Sequence, residues 1–188
     1  MAGKIRRDPA IVRSAASVRQ FLGENAALPE PVQIRRAAPE DAPAIAAVLY
    51  ESFVEFRPLY TDQGFRATTP DAAGILGRMK EGPVWIAVRE HAAIGTAAAV
   101  CQDGSLYIRG MAVVPSARGA GIGEKLMGEI ERFATSSGCG RVFLSTTPFL
   151  TSAIELYRKL GFSRAPDRDH DLFGTPLFTM EKTSSAPS

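Results

Sequence analysis

Residues 111–123, Met-Ala-Val-Val-Pro-Ser-Ala-Arg-Gly-Ala-Gly-Ile-Gly, are the stretch that decides the fold. A run of apolar, β-type residues ends at Pro115, and a loop with one arginine and three alternating glycines leads into an amphipathic pattern. Glycine lets the backbone approach an anion closely, and a helix N-terminus offers unpaired N–H groups at a positive dipole end. The stretch therefore predicts a strand, a phosphate-binding turn and a helix.

Spacing decides which phosphate-binding turn this is. The glycines do not match a Rossmann fingerprint, and Gly123 is not followed by the Lys-Ser/Thr pair of a P-loop. The spacing that fits is Arg118-x-x-Gly121-x-Gly123 after a strand that ends in Val-Val-Pro. It resembles the acyl-CoA pyrophosphate loop of the GNAT superfamily of N-acyltransferases.

A second motif lies downstream, at residues 153–162, Ala-Ile-Glu-Leu-Tyr-Arg-Lys-Leu-Gly-Phe. Ser152 and Glu155 have the spacing of a capping box, and Gly161 lies where a helix C-terminal glycine belongs. The segment resembles the second acyl-CoA segment of the superfamily, A-x-x-L-Y-x-x-x-G-F, in which the tyrosine faces the leaving sulfur. Leu150 is a departure, because many members have Asn there.

Composition sets the class of protein. The 188 residues are 45% hydrophobic and 22% charged, which is ordinary for one globular domain. A net charge of +2 gives no reason to expect a nucleic-acid partner. Two cysteines and two histidines without metal-ligand spacing argue against a metal site, and Cys101 and Cys139 are expected to be unreactive thiols. No apolar stretch approaches the roughly 18–20 residues of a membrane span, so we expect a soluble, cytoplasmic protein with no membrane partner.

Turn and periodicity signals divide the chain. Residues 1–31 are predicted to form an N-terminal arm with one helix and a linker, which leaves a homodimer possible, and 183–188 a disordered tail. The domain, 32–182, has the predicted order β-α-α-β-β-β-α-β-α-β-β. Its seven strands are predicted at 32–36, 84–89, 94–102, 106–114, 141–146, 162–165 and 175–180. Residues 167–171 are predicted to be a charged loop.

The resemblance implies a mixed α/β fold of the GNAT type: a mostly antiparallel seven-stranded sheet, splayed into a V and flanked by about four helices. Acetyl-CoA would lie in the V, with its pantetheine arm along the backbone of Met111, Ala112 and Val113. Tyr157 would protonate the leaving thiolate, as a neutral phenol can. The pyrophosphate would be held by a loop of six residues: Arg118, Gly119, Ala120, Gly121, Ile122 and Gly123.

The general base is not identified by the sequence. Many members have a glutamate where this chain has Arg109, and an arginine cannot accept a proton. Either a carboxylate acts through water, with Glu55 and Asp103 as the nearest candidates, or the amine arrives neutral.

Arg109 has a second interpretation, as a bidentate partner for a carboxylate or phosphate on the acceptor. The resemblance places Arg57, Tyr60 and Arg66 at the acceptor wall, and His170 is a further candidate at its mouth. Solvent exposure or a structural ion pair is the alternative for each of these side chains.

Three functions follow from these observations. The first is an acetyl-CoA-dependent N-acetyltransferase that acts on a primary amine of a small molecule or amino-acid-like acceptor, in a ternary complex. The second is a protein N-terminal or lysine acetyltransferase. The third is a non-catalytic acyl-CoA-binding or sensing module.

Overall fold

The structure, a computed structural model, describes residues 31–183 and contains one sheet of seven strands. The predicted arm, apart from Pro31, lies outside the described residues, as do residues 184–188. The strands are β1 (Gln33–Arg36), β2 (Val84–Arg89), β3 (Ala92–Gln102), β4 (Ser105–Val113), β5 (Arg141–Thr146), β6 (Ser163–Leu172) and β7 (Thr175–Thr183). The helices are α1 (Ala42–Phe53), α2 (Asp62–Thr68), α3 (Ala72–Glu81), α4 (Ile122–Ser136) and α5 (Thr151–Lys159).

Local chemistry explains where the helices begin. Thr61 Oγ1 accepts a hydrogen bond from Gly64 N at 3.0 Å and caps α2, and Asp71 Oδ1 accepts from Gly74 N at 2.9 Å and caps α3. Helix α4 is amphipathic and begins after Gly121, whose missing side chain leaves the first turn without a side-chain cap. Its buried face packs on the sheet and consists of Ile122, Leu126, Met127, Ile130 and Ala134.

The sheet order is β1-β2-β3-β4-β5-β7-β6, and β4 and β5 are its one parallel pair. These two strands pair only over 105–108 and 141–144. Beyond that point, Ser145 and Thr146 stay paired with β7, while residues 109–113 stay paired with β3. The two strands therefore diverge and leave a V-shaped cleft, which confirms the predicted splayed sheet.

A β-bulge lies where β4 leaves β5. Thr96 pairs with Ala112 and Ala98 with Arg109, so β4 has one residue more than β3 over this interval. Gly110 has a φ of +60°, which glycine adopts at little cost. The bulge bends the strand and redirects the side chains on both sides of it.

The structure differs from the sequence predictions at three places. Residues 167–171 are not a loop, because β6 runs on to Leu172 and pairs with β7, with an irregularity between Arg164 and Asp169. The segment around residue 62 contains a helix, α2, which raises the number of helices from about four to five among the described residues. Thr183, assigned to the tail, is instead the last residue of β7.

The two cysteines meet at the paired end of β4. Cys101 pairs with Leu106 of β4 in the register of the sheet, and Cys139 lies between α4 and β5. Their sulfur atoms are 2.9 Å apart; Cys101 is exposed and Cys139 is buried. Burial, together with the neighbouring Cys101 thiol, raises the pKa of Cys139 to about 11. Both thiols are free.

Among residues 31–183, no helix combines the length and apolarity needed to cross a bilayer. Within the same part of the chain, no three His, Cys, Asp or Glu side chains cluster as a metal-ion site would require.

Candidate active site

The cleft between β4 and β5 holds a cavity of about 400 Å³. Its walls come from the divergent halves of β4 and β5, the C-terminal end of α1, and α5. Thr68 of α2, Arg78 of α3, Leu172 of β6 and Leu177 of β7 also line it. The size falls within the range typical of small-molecule sites.

Unpaired polar atoms concentrate in this cavity. In the described part of the chain, the buried side-chain atoms without a hydrogen-bond partner are Ser52 Oγ, Thr147 Oγ1, and Nε and Nη2 of Arg109. All three residues line the cavity. A buried polar group without a partner costs roughly 1–3 kcal/mol, so their concentration in one cleft indicates a site completed by a ligand.

The open edge of β4 supplies the cavity with backbone groups. Met111, Ala112 and Val113, the residues expected to bind the pantetheine arm, all line it. Val114 N donates to Ile94 O of β3 at 3.0 Å, so by strand alternation the Val113 N–H is directed toward the cleft. These residues lie beyond the last pairing with β5.

Residues 118–123, the glycine loop, join β4 to α4 at the other end of the cleft. Gly119 and Gly121 have φ values of +77° and +71°, and a Cβ added to either would meet no atom within 4 Å. The space beside the loop is therefore open, and the first N–H groups of α4 have no side-chain cap. This arrangement fits a phosphate group.

Gly123 differs from the other two glycines. A Cβ on Gly123 would lie 2.7 Å from Leu156 Cδ2, so its small size allows α5 to pack against α4. At Gly123, the loop that contains the first acyl-CoA motif therefore lies against α5, which contains the second.

The Arg118 side chain is held by α1 and the segment after it. Its Nη2 donates to Ser52 O at 3.0 Å, its Nε to Val113 O at 3.3 Å, and its Nη1 forms a 2.6 Å ion pair with Glu55 Oε1. Arg118 lines the cavity, but its charge is matched by Glu55. The guanidinium therefore anchors the glycine loop to α1.

Tyr157 lines the cavity from α5 and is buried. Burial raises the pKa of its phenol well above the ordinary value of 10, so the hydroxyl stays protonated at neutral pH. The helix ends in a Schellman motif, in which Gly161 N donates to Arg158 O and Phe162 N to Tyr157 O, both at 3.0 Å. Gly161 was predicted to end the helix, and the motif confirms it.

The predicted capping box at the other end of α5 is wrong. The helix begins at Thr151, ahead of Ser152, with Leu150 as its N-cap and no capping side chain. Leu150 itself lines the cavity, where many members of the superfamily have an amide side chain.

Tyr60 lines the cavity in the aromatic cluster Phe56, Tyr60 and Phe149. The ring centroids of Tyr60 and Phe149 are 4.9 Å apart, and those of Phe56 and Phe149 are 6.2 Å apart. This cluster joins the segment after α1 to the loop after β5. Burial raises the pKa of Tyr60 to about 12.

Arg109 lies in the cavity with a second arginine that sequence analysis did not identify, Arg78. Arg109 Nη2 is 2.6 Å from Glu81 Oε2 at the end of α3, although the contact lacks the direction of a hydrogen bond. Arg78 Nη2 donates to Ala67 O at 3.1 Å. No local signal marks Arg78, because only the folded chain brings α3 against the β4 bulge.

Other predicted acceptor residues lie elsewhere. Arg57 does not line the cavity; it pairs with Asp62 at 2.6 Å and stacks over Phe65. Arg66 and His170 are exposed and also do not line it. Neither Glu55 nor Asp103 reaches it, and no Asp, Glu or His of residues 31–183 lines its wall.

Comparison with known proteins connects this geometry to a family. The acetyltransferase (GNAT) family model matches residues 45–162. An uncharacterized N-acetyltransferase of Escherichia coli strain K12, YjgM, is 29% identical over 140 residues, which are 71% of this chain and 83% of that protein.

Solved structures share the fold. The PaiA N-acetyltransferase of Thermoplasma acidophilum, in complex with coenzyme A, has a TM-score of 0.70 and 19% identity over 82% of this chain and 99% of that one. The ribosomal-protein-alanine N-acetyltransferase of Brucella melitensis has a TM-score of 0.64 and 25% identity over 80% of this chain and 99% of that one. Because the family match covers more than half of the chain, including the glycine loop and α5, this protein belongs to the GNAT acetyltransferase family and is an acyltransferase.

Proposed function

We propose that the protein transfers an acetyl group from acetyl-CoA to a primary amine of a small molecule, by direct attack in a ternary complex. The observation that carries the proposal is the arrangement along β4. The open glycine loop follows the strand, the backbone edge of residues 111–113 does not pair with β5, and the cavity extends along that edge to Arg109. In the proposed complex, the loop holds the pyrophosphate and the open edge holds the pantetheine arm.

The chemistry requires two contributions from the chain: hydrogen bonds to the oxyanion and a proton for the leaving thiolate. A neutral amine attacks the thioester carbonyl and forms the C–N bond, and the oxyanion that develops accepts hydrogen bonds from backbone N–H groups of the open β4 edge. One such donor is often worth ~3–4 kcal/mol. When the C–S bond breaks, the Tyr157 hydroxyl donates its proton to the thiolate, and the amine releases its own proton to water.

The missing general base has a simple consequence. Because no carboxylate or imidazole of the described residues lines the cavity, the acceptor amine enters in its neutral form. Activity should then rise with pH through the pKa of the acceptor amine itself, with no additional enzyme group on the acid limb. An acid limb that stays fixed while the amine pKa changes would contradict this mechanism.

The size of the cavity supports a small acceptor. Its volume of about 400 Å³ lies toward the lower end of the range for small-molecule sites. The relative from Brucella melitensis is named for a protein acceptor, so protein acceptors belong in the test.

The test is thiol release from acetyl-CoA across a panel of small amines and peptides, with mass spectrometry of the products. We expect acceleration by a subset of small amines and an acetylated amine as product. Thiol release that no amine accelerates would contradict the proposal, and acetylation of peptide N-termini or lysines alone would replace it with protein acetylation.

A further inference from the structure

We infer that the acceptor is an amine that also carries a carboxylate, and that Arg78 and Arg109 bind this carboxylate at the end of the cavity remote from the glycine loop. The inference rests on the proposed function and adds the class of acceptor to it. It is carried by the two guanidinium groups, their partners and the charge of the surrounding wall.

Arg109 is directed into the cavity by the strand. Its neighbour Ile108 is buried in the core, and Arg109 lines the cleft at the point where β4 leaves β5. Its Nε and Nη2 are buried without an aligned hydrogen-bond acceptor. Glu81, at the end of α3, is largely exposed and lies 2.6 Å from Nη2. The Arg109 side chain keeps 21% of its surface exposed and lines the cavity, so a ligand there can contact it.

Arg78 reaches the same place from α3. A Cβ on Gly110 would lie 2.7 Å from Arg78 Nη1, so the bulge glycine makes the space in which this guanidinium lies. Desolvation and the nearby positive charge of Arg109 lower the pKa of Arg78, while Tyr107 and Glu81 oppose that shift. Arginine nevertheless stays charged in proteins. The fold thus places two like charges in a partly buried site.

The side chains around Arg78 and Arg109 carry an excess of positive charge. Arg78 and Arg109 contribute two positive charges against one negative charge from Glu81. Arg118 is neutralised separately by Glu55. No Asp, Glu or His among residues 31–183 lines the cavity wall. One anionic group would balance this excess, and a planar carboxylate matches the fork of a guanidinium.

The order of residues along β4 places this anion on the acceptor. The strand runs from Tyr107 through Arg109 and the open edge to the glycine loop, so the phosphates and the arginine pair lie at opposite ends. The acetyl group comes between them. A carboxylate bound by the arginines also loses its influence on the amine of the same molecule, which otherwise holds that amine in its charged form.

The experiment compares ω-amino acids of graded chain length with their carboxamides, which differ in charge but hardly in shape. An aminoalkyl phosphate serves as a third arm. We expect the carboxylate acceptor to have a KM at least about tenfold lower than its carboxamide, as one well-formed charged contact predicts. If the phosphate arm is preferred, the anion is a phosphate and the carboxylate assignment is overturned.

Variants test the residues directly. Arg109→Ala and Arg78→Ala should each raise the carboxylate KM about tenfold or more, leave the carboxamide KM within about twofold, and leave CoA affinity unchanged. Arg109→Lys should rescue only in part, because an ammonium does not make the paired contact. If Arg78→Ala does not fold, Arg78→Lys supplies the same comparison.

Glu81→Gln should change the KM for the carboxylate acceptor in the opposite direction from the arginine variants. It removes the negative charge that competes for Arg109, so the carboxylate KM should fall, by about two- to fivefold for an exposed pair. A purely structural role of the Glu81–Arg109 pair predicts no improvement. Glu129→Gln and Arg132→Ala, an ion pair on α4 that is not part of the cavity wall, are the matched controls.

The results distinguish a failure of the proposed function from a failure of the acidic-acceptor inference. If no amine accelerates thiol release, the proposed function fails. If amines are acetylated but Arg109→Ala affects carboxylate and carboxamide acceptors equally, the proposed function stands and the acidic-acceptor inference is overturned.

Discussion

The two halves of β4 differ although they belong to one strand. Residues 105–108 pair with β3 on one side and β5 on the other, and their backbone groups are engaged within the sheet. Residues 109–113 pair with β3 alone and line the cavity. The change comes at the bulge around Gly110. In this fold, a strand becomes a binding surface where its second neighbour departs.

A glycine with positive φ lies near the outer end of each half of β4. Gly104, in the turn that begins the paired half, and Gly121, in the loop beyond the open half, have φ values of +69° and +71°. A Cβ on either would meet open space. The two positions therefore have the same local backbone demands, and only their surroundings distinguish a turn from a ligand site.

The strongest test of this comparison is a pair of substitutions, Gly121→Val and Gly104→Val. Both place a β-branched side chain at positive φ and should cost similar stability, about 1–2 kcal/mol. Gly121→Val should also block the approach of the pyrophosphate. Because at least two charge-assisted hydrogen bonds of roughly 1.5–3 kcal/mol each are lost, we expect CoA affinity to fall about 100-fold or more. Calorimetric titration measures it, and equal affinities in the two folded variants would refute the phosphate-loop assignment.

The second test removes the proposed proton donor, Tyr157, which lines the same cavity as the open half of β4. Tyr157→Phe should leave CoA affinity nearly intact and lower turnover by about 10²–10⁴-fold, the usual range for general acid catalysis. Because burial raises the pKa of this phenol, the wild type should keep its activity up to at least pH ~10, where an ordinary tyrosine ionises. Single-turnover rates measure the chemical step. Wild-type rates in the variant would remove Tyr157 from the mechanism.

The smallest effect on activity is expected from oxidation of the two cysteines at the paired half of β4. Glutathione disulfide should convert the Cys101 and Cys139 thiols to a disulfide and be reduced to two glutathione molecules, because the sulfurs lie 2.9 Å apart. A bridge across 38 residues of chain should stabilise the fold by about 4 kcal/mol. Its melting temperature should rise by several degrees while turnover stays the same.

Cys101→Ser, which cannot form the bridge, is the control for that shift. Oxidation that lowers turnover in the wild type but not in this variant would show that the paired half is coupled to the cavity after all.

Much of this arrangement was predictable because its signals are local. Residues 111–123 contain the end of a strand, the glycines of the loop and the start of a helix, so short-range spacing identifies them. Tyr157 and Gly161 lie within one helix and its cap, and the Schellman motif depends only on neighbouring residues.

The rest depends on long-range contacts. Arg78 lies on a helix whose sequence gives no sign of the β4 bulge it will reach, and Arg57 is removed from the site by its pairing with Asp62. Residues 167–171 are polar enough to suggest a loop, but pairing with β7 keeps them in a strand. Cys101 and Cys139 are far apart in sequence, and only the sheet brings their sulfurs together.

The anchoring of Arg118 has a kinetic consequence. One guanidinium contacts Val113 of the strand, Ser52 of α1 and Glu55. Phe56 and Tyr60, one and five residues after Glu55, line the cavity and belong to the aromatic cluster. In the proposed complex, a pyrophosphate beside the loop would compete with Glu55 for that guanidinium, so occupancy of one substrate site would change the wall of the other. Linkage requires such coupling to be reciprocal. Steady-state analysis should therefore give an acetyl-CoA dissociation constant that changes when acceptor is present, and an acceptor constant that changes by the same factor.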